Sequence, residues 1–225
     1  MKTLKLLKQA LILSLIVFLV LLNFYFAFEP GQADAVSDTV VVTLQVTGEI
    51  SISSPADTSL TPSIPGMTGN CGSPSSGSLT WNVKTNNSEG FNMKIHASTD
   101  PALQLDASNY FSDYSPESAG VPDYNWTSPS AGEAEFGFTV EPETAGDTVQ
   151  KFLDDGSACN TGSNQTTDKC WLDFNGTTDI DIINRTTNTD STGEDEVVKF
   201  RAESCGKFLK EGDYTATITV TATMN

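Results

Sequence analysis

The run GDYTATITVTATM at residues 212–224 decides the fold class. Tyr214, Ala216, Ile218 and Val220 alternate with Thr215, Thr217, Thr219 and Thr221. Successive side chains of a strand point to opposite faces, so this spacing predicts a strand with one apolar face and one wet face. Threonine suits that surface because its β-branch fits the pleat and its hydroxyl meets water. The pattern recurs upstream. Val40, Val42, Leu44 and Val46 alternate with Val41, Thr43, Gln45 and Thr47, and Ile50 and Ile52 continue the strand past Gly48. Leu79, Trp81 and Val83 alternate with Thr80, Asn82 and Lys84, and Phe91, Met93 and Ile95 with Asn92, Lys94 and His96. The turn residues NNSEG at 86–90 join these two runs into a hairpin. Shorter strands are expected at 103–105, 136–140, 147–153, 170–174, 180–183 and 197–200. The Pro-, Gly- and Ser-rich stretch 53–78 reads as an irregular crossing. Eight to ten strands predict an all-β fold, an antiparallel β-sandwich of immunoglobulin-like or pilin-like type, behind an N-terminal hydrophobic helix.

That helix belongs to an export-type leader at residues 1–35. Lys2, Lys5 and Lys8 precede the apolar run Ala10–Phe28, and the triplet Ala33-Asp34-Ala35 fits the small-residue rule for cleavage after Ala35. The run is also long enough to cross the ~30 Å hydrocarbon core, so a retained signal anchor through residues 4–28 is the alternative to a cleaved signal peptide. Either way the expected location is extracellular or at the cell surface, reached by the general secretory route. Residues 36–225 read as a single domain. The stretch 154–196 stands out within it as an acidic surface insertion, with ten acids against Lys169 and Arg185.

The chain carries 12 basic and 29 acidic residues, a net −17. Such a surface repels a phosphate backbone and excludes nucleic acid as a partner. The four cysteines, Cys71, Cys159, Cys170 and Cys205, all follow the leader, and an even count in an oxidising compartment predicts two disulfides. Cys159 and Cys170 flank a loop with no packing residues and are expected to pair with each other, which leaves Cys71–Cys205 as the long-range bridge.

Three segments together carry a family resemblance: the opening strand 38–47, the unit LTWNVKTNNSEGFNMKI at 79–95, and the closing run 212–224. They resemble a broad group of bacterial exported β-sandwich surface proteins that includes the WxL-type and the spore-coat-U-like, pilin-related domains. The paired tryptophan motifs of the WxL group are absent, since Trp81 is followed by Asn82 and Val83. The resemblance implies the sandwich fold, a bacterial cell surface and a structural or adhesive role. It implies no catalytic residue.

Candidate sites are few. Asp173, Asn175, Asp179 and Asp181 gather oxygen ligands around Gly176, a composition suited to calcium, although the spacing is not that of an EF-hand. Tyr110, Tyr114, Tyr124 and Trp126 (with Phe111 among them) form an aromatic loop that suits sugar stacking or a protein anchor, against the alternative that the rings are a satellite core. His96 is the only histidine and no G-x-S-x-G is present, so a hydrolytic triad has no parts. A glycoside hydrolase needs two paired carboxylates, one with a raised pKa, and the alternation places most acids in loops and at strand ends.

The expected function is a non-enzymatic bacterial cell-surface or extracellular protein, structural or adhesive, with surface proteins, envelope components or glycans as partners. Two alternatives stand beside it: a pilin-like fibre subunit assembling by strand complementation, and a carbohydrate-binding module. The opening strand is expected to pack on its own domain as a monomer rather than to exchange between copies.

Overall fold

A computed structural model describes residues 2–27 and 38–225. The triplet Ala33-Asp34-Ala35 and its cleavage point lie outside the described residues. The chain divides into two compact units, residues 1–45 and 46–225. The first holds helix α1, Lys2–Ala27. Its segment Thr3–Tyr25 has a mean hydropathy of 2.3 and is long and apolar enough to cross a membrane.

The second unit is built from ten strands: β1 (Ile50–Ile52), β2 (Ser75–Thr85), β3 (Phe91–Ala97), β4 (Gln104–Asp106), β5 (Asn109–Tyr110), β6 (Ser112–Asp113), β7 (Ala134–Val140), β8 (Ile180–Arg185), β9 (Glu194–Ser204) and β10 (Ile218–Met224). One sheet runs β1-β2-β9-β7-β6, a second β10-β3-β8, and β4 pairs with β5. All pairings are antiparallel except β6 with β7. The hairpin expected from 79–95 does not form: β2 pairs with β1 and β9 while β3 pairs with β10 and β8, and the chain crosses from one sheet to the other through a turn ending at Gly90, whose φ is +78°. A Cβ there would lie 2.2 Å from the Arg185 carbonyl oxygen, so the position demands glycine.

The core forms between the inward faces of the two larger sheets. Trp81 and Val83 of β2, Phe136, Phe138 and Val140 of β7, and Val198, Phe200 and Ala202 of β9 meet Phe91, Met93, Ile95 and Ala97 of β3 and Ile180, Ile182 and Ile183 of β8. Phe174 sits among the rings, with centroids 4.5 Å from Phe138 and 5.8 Å from Phe136. Phe174 and Trp171 belong to the stretch read as a surface insertion, so residues 154–196 supply core as well as acidic surface. The adjacent burial of Ile182 and Ile183 breaks period two because the β3–β8 register shifts there, leaving Ile182 as the extra residue of a bulge.

Three further expectations are corrected. The β-sheet is an open, curled half-barrel rather than a clearly closed sandwich. The reason is visible at its rim. β1 has only three residues, and the inward side chains of β10, Ile218, Val220 and Ala222, are half-buried rather than buried. Residues 147–153 form no strand and instead contribute to two 3-10 turns, Ala145–Asp147 and Gln150–Phe152. Most consequentially, residues 38–47 form no strand. Val40, Val42, Leu44 and Val46 are 77, 90, 87 and 76% exposed. Alternation only fits a residue run to a sheet, and no described strand lies beside this one to accept its hydrogen bonds.

Both disulfides form as expected, Cys71 with Cys205 and Cys159 with Cys170. The long bridge fastens the irregular crossing to the end of β9.

Candidate functional site

The outer face of β7 and β9 carries the most elaborate side-chain cluster. The aromatic loop folds over this face. Tyr114 is 2% exposed, so its ring is a core element and not part of a surface platform. It stacks on Trp126 with centroids 4.5 Å apart, and its hydroxyl donates to Asp123 at 2.7 Å. Trp126 meets Trp171 edge-on at 5.4 Å. Gly137 of β7 makes this roof fit, because a Cβ there would fall 2.7 Å from the Tyr114 Cβ and 2.8 Å from the Leu172 carbonyl oxygen.

Cations cover the remaining ring faces. The Arg201 guanidinium lies 4.1 Å from the Trp171 ring centre and 5.8 Å from that of Trp126. Lys169 lies 4.8 Å over Tyr124, and Lys207 4.4 Å over Tyr110. Burial between the rings lowers the Arg201 pKa, opposed by the Asp168 and Glu203 charges. Beside this cluster opens a shallow cleft of about 340 Å³, lined by Asn125, Trp126, Asp168, Lys169, Arg201 and Glu203 among others.

Several carboxylates are not where alternation places them. Glu203 is fully buried on β9, and its two oxygens accept from the Gly72 N–H and from Trp126 Nε1, the latter at 2.6 Å. Glu135 stands opposite Glu203 in the β7–β9 register, and burial, with the nearby Glu133 and Glu203 charges, pushes its pKa up to about 7. Asp113 is raised to about 6, by burial first and then by the Asp100 and Asp173 charges. Glu196 is 1% exposed on the inward face of β9, and neither of its oxygens has a hydrogen-bond partner. Burial first, then Asp147 and Glu194, raise its pKa to about 8. The Arg185 guanidinium that partly offsets this is held by Asp147 and by Glu194 at 3.0 Å. Sequence spacing gave one signal for these groups: Glu196 and Val198 share a face of β9, as do Arg201 and Glu203.

Asp173, Asn175, Asp179 and Asp181 do not share one focus. Asp179 binds His96 Nδ1 at 2.8 Å and Asp181 pairs with Lys94 at 3.6 Å, so both face β3. Asp173 is half-buried, which raises its pKa, and its charge acts on Asp113. Asn175 is exposed. Among the described residues, the group of three His, Cys, Asp or Glu ligand atoms that lie within 4.8 Å of one another is Cys71, Glu203 and Cys205. Those two sulfurs are bonded to each other and the carboxylate already accepts two hydrogen bonds, so a metal there would first require reduction.

The remaining candidate is the opening segment itself. Among the described residues after α1, nine large apolar side chains are exposed, and five of them are Val40, Val41, Val42, Leu44 and Val46. Ile52 of β1 and Met224 of β10 are two of the other four. From Thr39 to Gly48 the segment has no charged residue, in a chain with 41. The chain matches no family model, no curated protein and no solved structure.

Proposed function

We propose that this chain is an exported, non-enzymatic structural subunit of a bacterial cell surface, joined to further copies through its opening segment. The observation that carries this reading is the exposed, uncharged alternation of Val40–Val46 with no described strand paired to it. Burial of a Val-sized side chain is worth roughly 1.5–3 kcal/mol, so four of them in a row favour any arrangement that covers them. An unpaired alternating strand is the donor half of strand addition. The half-barrel is the matching incomplete half, and an added strand would bring it toward the sandwich that the resemblance implies.

Light scattering on the exported chain tests the reading. Concentration-dependent oligomers are expected, and the double substitution Val42→Asp/Leu44→Asp is expected to reduce them to monomers. A native chain that stays monomeric from micromolar to millimolar concentration overturns it.

The carbohydrate-binding alternative rests on the cleft beside Trp126. Its weakness is that Tyr114, Arg201 and Trp171 already pack against that ring. Glycan-array binding lost on Trp126→Ala would support it, and an array with no bound glycan would remove it.

A further inference from the structure

We infer that the cleft beside Trp126, Lys169 and Arg201 binds the carboxylate of an acidic sugar, a uronate residue at the end of a glycan. This deepens the carbohydrate alternative and rests on it, and it is independent of how copies join.

The guanidinium of Arg201 carries the inference. Rings hold it in place, 4.1 Å from the Trp171 centre and 5.8 Å from that of Trp126, and its side chain is 17% exposed. Its Nε is buried with no hydrogen-bond partner. Its nearest carboxylate oxygen, Asp168 Oδ1, lies 3.9 Å from Nη2, beyond hydrogen-bond reach. Buried donors are nearly always satisfied, so a planar fork left unpaired in the wall of a cleft calls for an acceptor. Such a fork matches the two oxygens of a carboxylate, and one already clamped between rings loses little freedom on binding.

The acids beside it are engaged elsewhere. Asp168 Oδ1 accepts from Lys199 Nζ at 3.1 Å, and Lys199 also pairs with Glu141 at 2.8 Å. Glu203 accepts from the Gly72 N–H and from Trp126 Nε1. Lys169 lines the same cleft, and its Nζ donates to Asn125 Oδ1 at 2.6 Å rather than to a carboxylate. Lys169, Lys199 and Arg201 therefore stand against Glu141, Asp168 and Glu203 in equal number, in a chain with 12 basic and 29 acidic residues. An anion that the overall charge repels finds two cations here that no carboxylate holds within hydrogen-bond distance.

The rest of the lining suits a sugar better than a peptide. Asn125, Ser128 and Asp168 offer donors and acceptors to ring hydroxyls, while the apolar lining is limited to Pro74 and Trp126. An apolar peptide side chain has no pocket to fill. The volume of about 340 Å³ lies near the lower end of the roughly 300–1,000 Å³ of small-ligand sites, which suits a terminal sugar rather than a length of polymer. The packing of Tyr114 and Trp171 on Trp126 counts against a sugar stacking on that ring. For a carboxylate it is an advantage, because the same packing fixes the guanidinium.

Calorimetry on the exported chain tests this, with a disaccharide ending in glucuronate as probe and the same disaccharide ending in glucose beside it. The uronate is expected to bind one to one, and the neutral sugar about tenfold more weakly or worse. Arg201→Lys keeps the charge but loses the fork, and should weaken uronate binding about tenfold. Lys169→Gln should weaken it about threefold and, being at the surface, guards against a misfolded Arg201→Lys chain. Lys84→Gln on β2 removes the same charge outside the cleft and should leave binding unchanged. Native affinity in both cleft variants overturns the inference. Equal binding of the two sugars overturns carboxylate recognition and leaves the carbohydrate alternative standing. No binding of either overturns the inference, and a blank glycan array removes the alternative with it. Capture of a peptide through its C-terminal carboxylate, with no uronate bound, also refutes it.

Discussion

Glu196 stands opposite Trp81 across the β2–β9 ladder, with both carboxylate oxygens unpartnered in the core. A carboxyl group so placed is kept neutral, because an uncompensated buried charge costs far more than a proton. Its pKa of about 8 when folded exceeds the 4.5 expected when unfolded. The folded state thus holds a proton that the unfolded chain releases. This group is harmless to stability below pH 4.5, and its penalty grows as the pH rises from there to about 8. The penalty is then constant, on the order of 3–5 kcal/mol. Glu196→Gln is expected to raise the melting temperature at pH 8 and to leave it nearly unchanged at pH 4. Parallel melting curves for the two proteins across that range would contradict the assignment.

Gly137 is expected to reject a methyl group. The Cβ of Gly137→Ala would meet the Tyr114 Cβ at 2.7 Å and the Leu172 carbonyl oxygen at 2.8 Å. Overpacking of this kind typically costs about 1–3 kcal/mol. The roof would lift first, so limited proteolysis should cut within residues 110–130 faster than in the native chain. Unchanged proteolysis would show that the roof yields without cost.

Arg201 is expected to matter through its place between two rings rather than through an ion pair. Its nearest carboxylate contact is 3.9 Å, to Asp168. Arg201→Ala should cost about 1–2 kcal/mol and alter the emission of Trp126 and Trp171. Asp168→Asn should do much less. Equal effects from the two substitutions would assign the role to charge pairing.

The two disulfides are expected to differ in weight. Cys71–Cys205 spans 134 residues and Cys159–Cys170 spans 11. Loop-closure entropy gives about 5 kcal/mol for the first and about 3 kcal/mol for the second. Denaturant melts of the Cys71→Ser/Cys205→Ser and Cys159→Ser/Cys170→Ser chains check the order, and the reverse ranking would show that local strain or residual structure dominates.

Residue patterns announced much of this fold. Trp81 and Val83, the alternation Phe91, Met93 and Ile95, and the pair Val198 and Phe200 all point inward as their spacing requires. Both cysteine pairs followed from loop composition. What alternation cannot convey is whether a neighbour exists. Val40–Val46 reads as well as β10 does, yet only β10 has a sheet beside it. Ile182 hid behind a bulge, and Phe174 behind the acids around it. Glu196, Glu203 and Arg201 escaped because burial of a charged residue depends on what covers it, and their covers come from distant segments. The rings at 110–126 were visible as a cluster. Their partners Arg201 and Trp171 were not, being separated from them by tens of residues and brought in by the pairing of β9 with β7 and by the bridges Asp123–Trp171 and Phe138–Leu172.

The order of the strands along the chain also sets a schedule. The apolar run at 40–46 precedes every strand, and β10 follows them all. A growing chain therefore carries its uncharged segment from early in synthesis, while the sheet of β10, β3 and β8 lacks its rim strand until residues 218–224 are made. A chain cut short before residue 218 would leave β3 paired on one side only.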